Sequence, residues 1–574
     1  MMEKIRMFRL SGWGIAAEYV LLAVCGALFT LAFPGIDWNM LAWIGAIPVC
    51  LAVLTSNPGA AFLKAFTWSW FWNFTAFFWL REIVVLLPIG MAFTLAPFTA
   101  VWACIAAWLR KNLEFSVQDR LDGATQCAKV KPFSKPLTGI LFLLGSSGLW
   151  CVLEWIRSWI FTGLPWNLLA AAQWRNIPLI QICEYTGMYG VSFCIIMMNM
   201  ALAMTIPQLP VIIKGKRFWP LVTAMVILAF SLFFGFRLLK RAEKVETVPF
   251  RAGVVQCDLT QRRNPVAGQG EEALDVCLEL SRQILQKEHE TIAVSLDTPA
   301  KRQVPLSVII WPETAVPVPY RGVSELSGEY RFRLGKLITK YQVPFLIGSL
   351  DYELSTTSPD GYDLRNSALL IREPGGTVAD KFSKIHLVPF GEYVPYGKEF
   401  PAFAKLVGMG RDLAPGKRFN PIELSPDVKA GISICFESAF PYVSRGHVLN
   451  GANLLVIISN DAWYPTSNEP EQHFANALFR AVENRLPILR SGNSSHTLWI
   501  SPSGTVQKTA LSGLHDRGRT AAVFTVQVPK NHQLTFYSRF GNIVIVLFGF
   551  LGFLAAVPAF MNWNMYRLAQ GNRT

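Results

Sequence analysis

The sequence predicts a multi-domain membrane protein, with about eight transmembrane α-helices and one α/β domain inserted before the last of them. Two observations predict it. The first is a deficit of charge: hydrophobic residues make up 52% of the 574-residue chain and charged residues only 16%, where a soluble chain carries about 25%. The second is that the deficit is uneven. Apolar runs fill residues 1–240, residues 245–530 read as an ordinary soluble sequence, and the remainder turns apolar again. Residues 1–244 therefore predict a bundle of seven helices, 245–535 an inserted domain, and 536–574 a closing helix with its tail.

A helix spans a bilayer core with about 20 mostly apolar residues. The candidate spans, in order, are 16–33, 39–55, 60–80, 83–109, 137–156, 188–206, 219–238 and 541–561. The first does not read as a cleavable leader, because Phe33-Pro34-Gly35 offers no small-x-small site. Lys and Arg in short loops set the orientation. Lys4, Arg6 and Arg9 precede the first span, and Arg110, Lys111, Arg120, Lys129, Lys131 and Lys135 follow the fourth. Lys214, Lys216 and Arg217 follow the sixth, with Arg567 and Arg573 in the tail. All fall on one side, while the loops near Asp37 and Arg81-Glu82 are poor in positive charge. Both termini are expected in the cytoplasm, and residues 245–535 on the outer face of a bacterial inner membrane. Arg237, Lys240, Arg241 and Lys244 break the pattern, but they lead into a long domain, where the rule has little force.

These loops hold much of the net charge of +14. No basic stripe with interleaved aromatics and no nucleic-acid motif is present, so no nucleic-acid partner is expected. The ten cysteines form no CxxC pair, which argues against a zinc or thioredoxin-type site; a Cys257–Cys277 disulfide stays open.

In the inserted domain, strand-like runs lie at Arg251–Cys257, Leu306–Trp311, Pro344–Leu350, Ser367–Ile371, Ala430–Ile434 and Leu454–Ser459. Helical patterns between them, at Glu271–Glu288 and Gln472–Asn484, make the domain α/β. Functional groups in such folds gather at the carboxyl ends of strands. Glu313 follows one strand, Cys435 another, and Lys384 lies in a loop after a third strand and the Gly375–Gly376 turn. A cysteine needs an adjacent base to become thiolate, and Glu313 suits that task. Lys384 can stabilise the oxyanion formed when a thiolate attacks a carbonyl. Together they permit acyl transfer through a thioester. Singly, each has a plainer reading as a buried small residue or a solvated charge.

The flanking residues decide between these readings. Trp311-Pro312-Glu313-Thr314, the Lys384–Glu392 segment KIHLVPFGE, and Ile434-Cys435-Phe436-Glu437 resemble the Glu-Lys-Cys signature of the nitrilase superfamily. More closely, the chain resembles the apolipoprotein N-acyltransferase family. Ser459-Asn460-Asp461-Ala462-Trp463, Gln472-His473, Arg480 and Glu483 fit that family, as do Glu154–Arg157, Thr162–Asn167 and Thr535–Gly541 in the apolar regions. The resemblance implies an αββα sandwich, with Glu313 as general base, Lys384 as oxyanion stabiliser and Cys435 as nucleophile. It implies that Glu392 and Glu437 position Lys384 and the substrate amine, and that Asn366 supports them. It further implies a phospholipid acyl donor, typically phosphatidylethanolamine, and a diacylglyceryl-cysteine apolipoprotein as acceptor, with no cofactor or metal. Trp155, Trp159 and Trp166 suit a membrane-interface belt. One departure stands out: Arg490 is followed by Ser491-Gly492-Asn493-Ser494-Ser495-His496-Thr497, where Ser495 occupies a position the family gives to glycine and His496 is unusual.

Two rivals remain at this point. A membrane-tethered nitrilase-type amidase would use the same three residues with water as the second substrate. A silent membrane scaffold that binds lipoproteins would use none of them.

Overall fold

The computed structural model describes residues 12–114, 133, 135–208, 218–242, 245–261, 268–296, 304–356, 358, 361–397, 399–400, 412–464, 466–511 and 518–571. Lys4, Arg6, Arg9, Arg120, Cys127, Lys129, Lys131, Lys214, Lys216, Arg217, Lys244 and Arg573 lie outside them, so the charge argument for orientation rests on sequence. The chain divides into two compact units, Met1–Arg237 with Asn542–Thr574, and Leu238–Gly541.

The first unit is helical. Its main helices are α1 (Gly12–Phe29), α2 (Ile47–Thr55), α3 (Pro58–Ala76), α4 (Leu87–Glu114), α5 (Pro136–Arg157), α6 (Met188–Thr205), α7 (Trp219–Ala242) and, after the second unit, α12 (Val544–Gly571). Helices thus stand at all eight predicted positions, but only six are long and apolar enough to cross a membrane among the described residues. The Asn39–Thr55 segment is shorter. It opens as a 3-10 turn at Asn39–Trp43 before α2 begins with Pro48 in its first turn. Close helix approach depends on small residues: a Cβ on Gly148 of α5 would stand 2.4 Å from the Phe548 carbonyl oxygen of α12. Asn199 of α6 bonds Ala46 N at 2.9 Å and Ala42 O at 2.8 Å, holding the irregular 42–46 backbone against the helix. Trp166 departs from the belt expectation. It is buried against Trp79 at 6.0 Å, while Trp159 is exposed.

The second unit is a sandwich of two sheets. One has the order β13-β1-β2-β4-β5-β6, with β3 beside β4; the other runs β12-β11-β10-β9-β8-β7. The strands are β1 (Thr247–Gln256), β2 (Leu306–Ile310), β3 (Val316–Pro319), β4 (Phe345–Leu354), β5 (Tyr362–Arg372), β6 (Thr377–Ser383), β7 (Ile422–Ser425), β8 (Val428–Ile434), β9 (Leu454–Asn460), β10 (Ile488–Asn493), β11 (Leu498–Ile500), β12 (Val506–Thr509) and β13 (Thr520–Pro529). Pairs β1–β2, β2–β4, β8–β9 and β9–β10 are parallel. Their sequences are near-continuous apolar runs because both faces are covered. Val254, Ile310, Leu346 and Leu370 of the first sheet meet Ile432, Val456, Ile458 and Leu489 of the second in one apolar interior. Helices α8 (Gln269–Leu296) and α9 (Glu325–Tyr341) bury the outer face of the first sheet through Leu278, Tyr330 and Leu334. Helix α10 (Pro441–Leu449) lies on β8, where Gly431 leaves room for the His447 ring. With α11 (Glu469–Asn484), the layers read helix, sheet, sheet, helix, which is the expected αββα arrangement. Cys257 and Cys277 are both buried and free.

Candidate active site

Glu313 follows β2 on a turn that lies flush on β4. A Cβ on Gly348 would stand 2.4 Å from the Pro312 carbonyl oxygen, so only glycine permits the fit. The Glu313 carboxylate is buried and accepts from Asn366 Nδ2 at 2.8 Å and Lys384 Nζ at 3.3 Å. Lys384 follows β6, is 1% exposed, and also donates to Glu392 Oε1 at 3.0 Å. Asn366 Nδ2 reaches the same Glu392 oxygen at 2.9 Å, and Glu392 Oε2 accepts from Val388 N at 2.8 Å. Lys384 N bonds Asn366 O at 2.8 Å, fixing the loop that carries the ammonium. Four of the six predicted site residues thus form one hydrogen-bonded cluster.

Cys435 follows β8 and is partly exposed. Its φ of 53° lies in the left-handed region, which costs a non-glycine residue about 1–2 kcal/mol. Glu437 binds the turn together. Its Oε2 accepts from Ile434 N at 2.8 Å, and its Oε1 accepts from Ile385 N at 2.6 Å and His386 N at 3.0 Å. One carboxylate therefore ties the cysteine turn to the backbone just after Lys384. It acts on the backbone beside Lys384, whereas Glu392 holds the ammonium itself.

The Apolipoprotein N-acyltransferase N-terminal domain family matches residues 25–201, and the Carbon-nitrogen hydrolase family matches residues 251–520. The apolipoprotein N-acyltransferase of Geobacter metallireducens is 30% identical over 545 residues, covering 92% of each chain. The chain belongs to the apolipoprotein N-acyltransferase family. That of Chlorobaculum tepidum is 26% identical, covering 95% of this chain and 97% of its own. Apolipoprotein N-acyltransferase 1 of Treponema denticola is 27% identical, over 69% of this chain and 73% of its own.

In this apolipoprotein N-acyltransferase family member the electrostatics follow from burial and neighbours. Burial alone would lower the Lys384 ammonium, but Glu313 and Glu392 outweigh it and hold the group above the ordinary lysine range. The Cys435 thiol is pushed well above its usual value, first by burial and then by Glu313, with Lys384 pulling the other way. At neutral pH it therefore carries its proton until a base takes it. Burial pushes the Glu437 carboxyl up to about 7, against its three backbone donors and Lys384. Its folded value is raised, so the stability it contributes is full below the unfolded range and lost as pH rises through about 7. Function runs the opposite way, because only the anion accepts all three N–H bonds. Thioester formation is expected to fall as pH drops below about 7, and Glu437→Gln should flatten that limb while lowering the plateau. A pH profile of acylation for both proteins checks this.

A second polar group lies under the cysteine, and the sequence reading gave it no role. His473 of α11 bonds Asp461, at the end of β9, at 3.0 Å. Arg490 of β10 donates to the other Asp461 oxygen at 2.9 Å. Ser459 and Ser495 also donate to Asp461. Burial would raise the Asp461 carboxyl, but His473 and Arg490 hold it well below the usual carboxylate range. The left-handed residue of the 493–497 turn is Ser494 (φ 51°), not Ser495. The serine in the glycine position instead adds a donor to Asp461. The His496 ring meets Phe474 at 5.1 Å, tilted by 54°. The signal available in the sequence was the polar residues at the ends of two predicted elements, Ser459–Asp461 closing a strand and Gln472–His473 opening a helix.

Proposed function

We propose that this chain carries an acyl group from a membrane phospholipid to an apolipoprotein amine through a thioester on Cys435. Membership of the apolipoprotein N-acyltransferase family gives the reaction class, lipoprotein N-acylation in a membrane protein. The observation that supports the residue roles is the buried Glu313–Lys384–Asn366–Glu392 cluster tied to the Cys435 turn through Glu437.

In the first half, Glu313 takes the Cys435 proton and the sulfur attacks the ester carbonyl carbon. Lys384 stabilises the oxyanion, the C–O bond breaks, and the alkoxide of the lysophospholipid leaves with the proton from Glu313. In the second half, the amine nitrogen of the diacylglyceryl-cysteine attacks the thioester. Glu313 removes its proton, an amide forms, the C–S bond breaks, and the thiolate regains a proton. The ester bond supplies the driving force. Phosphatidylethanolamine is the proposed donor. The proposed arrangement is residues 1–244 and 536–574 in an inner membrane, both termini cytoplasmic, and 245–535 as the catalytic domain on the periplasmic side.

Incubation with a phospholipid labelled in its acyl chain tests the roles. Mass spectrometry of the peptide holding Cys435 is expected to find the label before acceptor is added and to lose it afterwards. Cys435→Ala should carry no label and transfer nothing, yet insert into membranes as the parent does. Transfer at the parental rate by Cys435→Ala would remove Cys435 from the mechanism. Hydrolysis of small amides without lipid-dependent transfer would favour the membrane-tethered amidase.

A further inference from the structure

We infer that His473 is a positioning residue for Cys435, a latch that holds the nucleophile's backbone in its left-handed conformation from beneath. The inference rests on the proposed role of Cys435 and adds a residue to it. His473 Nε2 lies 2.9 Å from the Cys435 carbonyl oxygen and 2.8 Å from Ser438 Oγ, one turn further on. A carbonyl only accepts, so Nε2 carries a proton and donates it to Cys435. The ring is fully buried and fixed from its other side. Nδ1 meets Asp461 Oδ1 at 3.0 Å and Arg490 at 3.2 Å, with Glu469 Oε1 at 3.8 Å. Asp461 is itself held by Arg490, Ser459 and Ser495, all buried.

The network thus starts on three separate elements, β9, β10 and α11, and ends on one backbone oxygen of the proposed nucleophile. The location is specific. A sulfur of Cys435, an oxygen of Asp461 and a ring nitrogen of His473 lie within 4.8 Å of one another. A residue at φ 53° relaxes toward the right-handed or extended regions unless its surroundings over-determine it. Rotation about the Cys435 backbone would move the sulfur from its place within 4.8 Å of Asp461 and His473 and change how strongly Glu313 and Lys384 act on the thiol. Glu437 holds the N–H of Ile434, the residue before Cys435, and His473 pins the carbonyl of Cys435 itself. His473 thus fixes the peptide plane that follows the strained residue directly, and Glu437 fixes the Ser433–Ile434 plane one peptide upstream. Glu313 and Lys384 supply the proton transfer and the charge, and His473 supplies the aim.

The test compares His473→Gln, His473→Asn and His473→Phe in the full chain, reconstituted with labelled phospholipid. Glutamine places an amide N–H near the position of Nε2 and can still reach the carbonyl. Asparagine reaches only the Nδ1 position and keeps the Asp461 partner. Phenylalanine keeps the ring and no donor. Thioester formation on Cys435 is expected to slow by ~10²-fold in the Asn and Phe variants and to stay within about tenfold of the parent in Gln, the scale of an ~1 Å misplacement of a reacting atom. KM for the phospholipid should change little, because binding is not what is lost. Melting temperatures identify folded variants, and if Phe does not fold, the Asn and Gln pair alone gives the answer. Parental thioester rates in Asn, or equal losses in Asn and Gln, overturn the latch while leaving Cys435 as the nucleophile. Absence of any Cys435 thioester in the parent overturns both.

Discussion

Replacing Lys384 with methionine is expected to cost both rate and stability. Its ammonium is the only cation bonded to Glu313 and Glu392 among the described residues, and all three side chains are largely shielded from water. Methionine keeps the length and removes the charge. Two carboxylates are then left facing each other through Asn366, which bonds both. Breaking a buried ion pair from one side costs about 3–5 kcal/mol, much of it the penalty of the stranded partner. The Leu238–Gly541 unit should unfold correspondingly earlier in denaturant. Adding Glu392→Gln should recover part of the loss, because one stranded charge is removed. Activity should not recover. Loss of a donor in the oxyanion-stabilising role proposed for Lys384 lowers rates by about 10²–10³-fold, and the second substitution does not restore it. If Lys384→Met unfolds like the parent, the cluster is not the buried charge system its distances describe.

Glu313→Gln separates two effects that usually move together. Glutamine keeps an oxygen for Asn366 and Lys384, so the fold should hold. Without the carboxylate, the proposed proton acceptor is gone, and thioester formation should drop by about 10²–10⁴-fold. The thiol itself responds in the other direction. After burial, Glu313 is the largest influence holding the Cys435 thiol up, so its removal makes the thiolate more accessible at a given pH. Iodoacetamide should therefore alkylate Cys435 faster in Glu313→Gln than in the parent, while phospholipid acylates it more slowly. A rise in both rates would mean that Glu313 acts only through the thiol's charge and not as a base.

Glu313 and Cys435 were legible in the sequence because each sits where a buried strand stops and a polar residue begins. Ile310-Trp311-Pro312-Glu313 and Ser433-Ile434-Cys435 show that change within a few residues. Lys384 was legible through its flanking motif, since β6 is a largely exposed edge strand whose polar and apolar residues do not alternate, and it drew no strand prediction. Strands β10 to β13 went unread for related reasons. Val506–Thr509 is a short, half-exposed edge, Leu498–Ile500 has three residues, and Thr520–Pro529 keeps many exposed side chains. Helix α9 is rich in Arg, Lys and Glu, and its apolar stripe is narrow. The polar residues of the His473 network stand out in the sequence, but their meeting does not, for a deeper reason. It depends on β9 and β10 pairing in the register that sets Asn493 opposite Asn460, and on α11 covering that end of the sheet. Such pairing is a property of the folded chain, and no local pattern encodes it.

The thiol arrives with one sheet, and the base and lysine arrive with the other. Between the two leaves lies an apolar filling, Phe250, Phe382 and Phe524 among its aliphatic side chains, whose thickness sets how far apart the sheets hold these groups. A shaved or swollen side chain deep in the filling would detune the chemistry without touching any reacting group. Drift in the interior of such a protein is therefore screened by turnover as well as by melting.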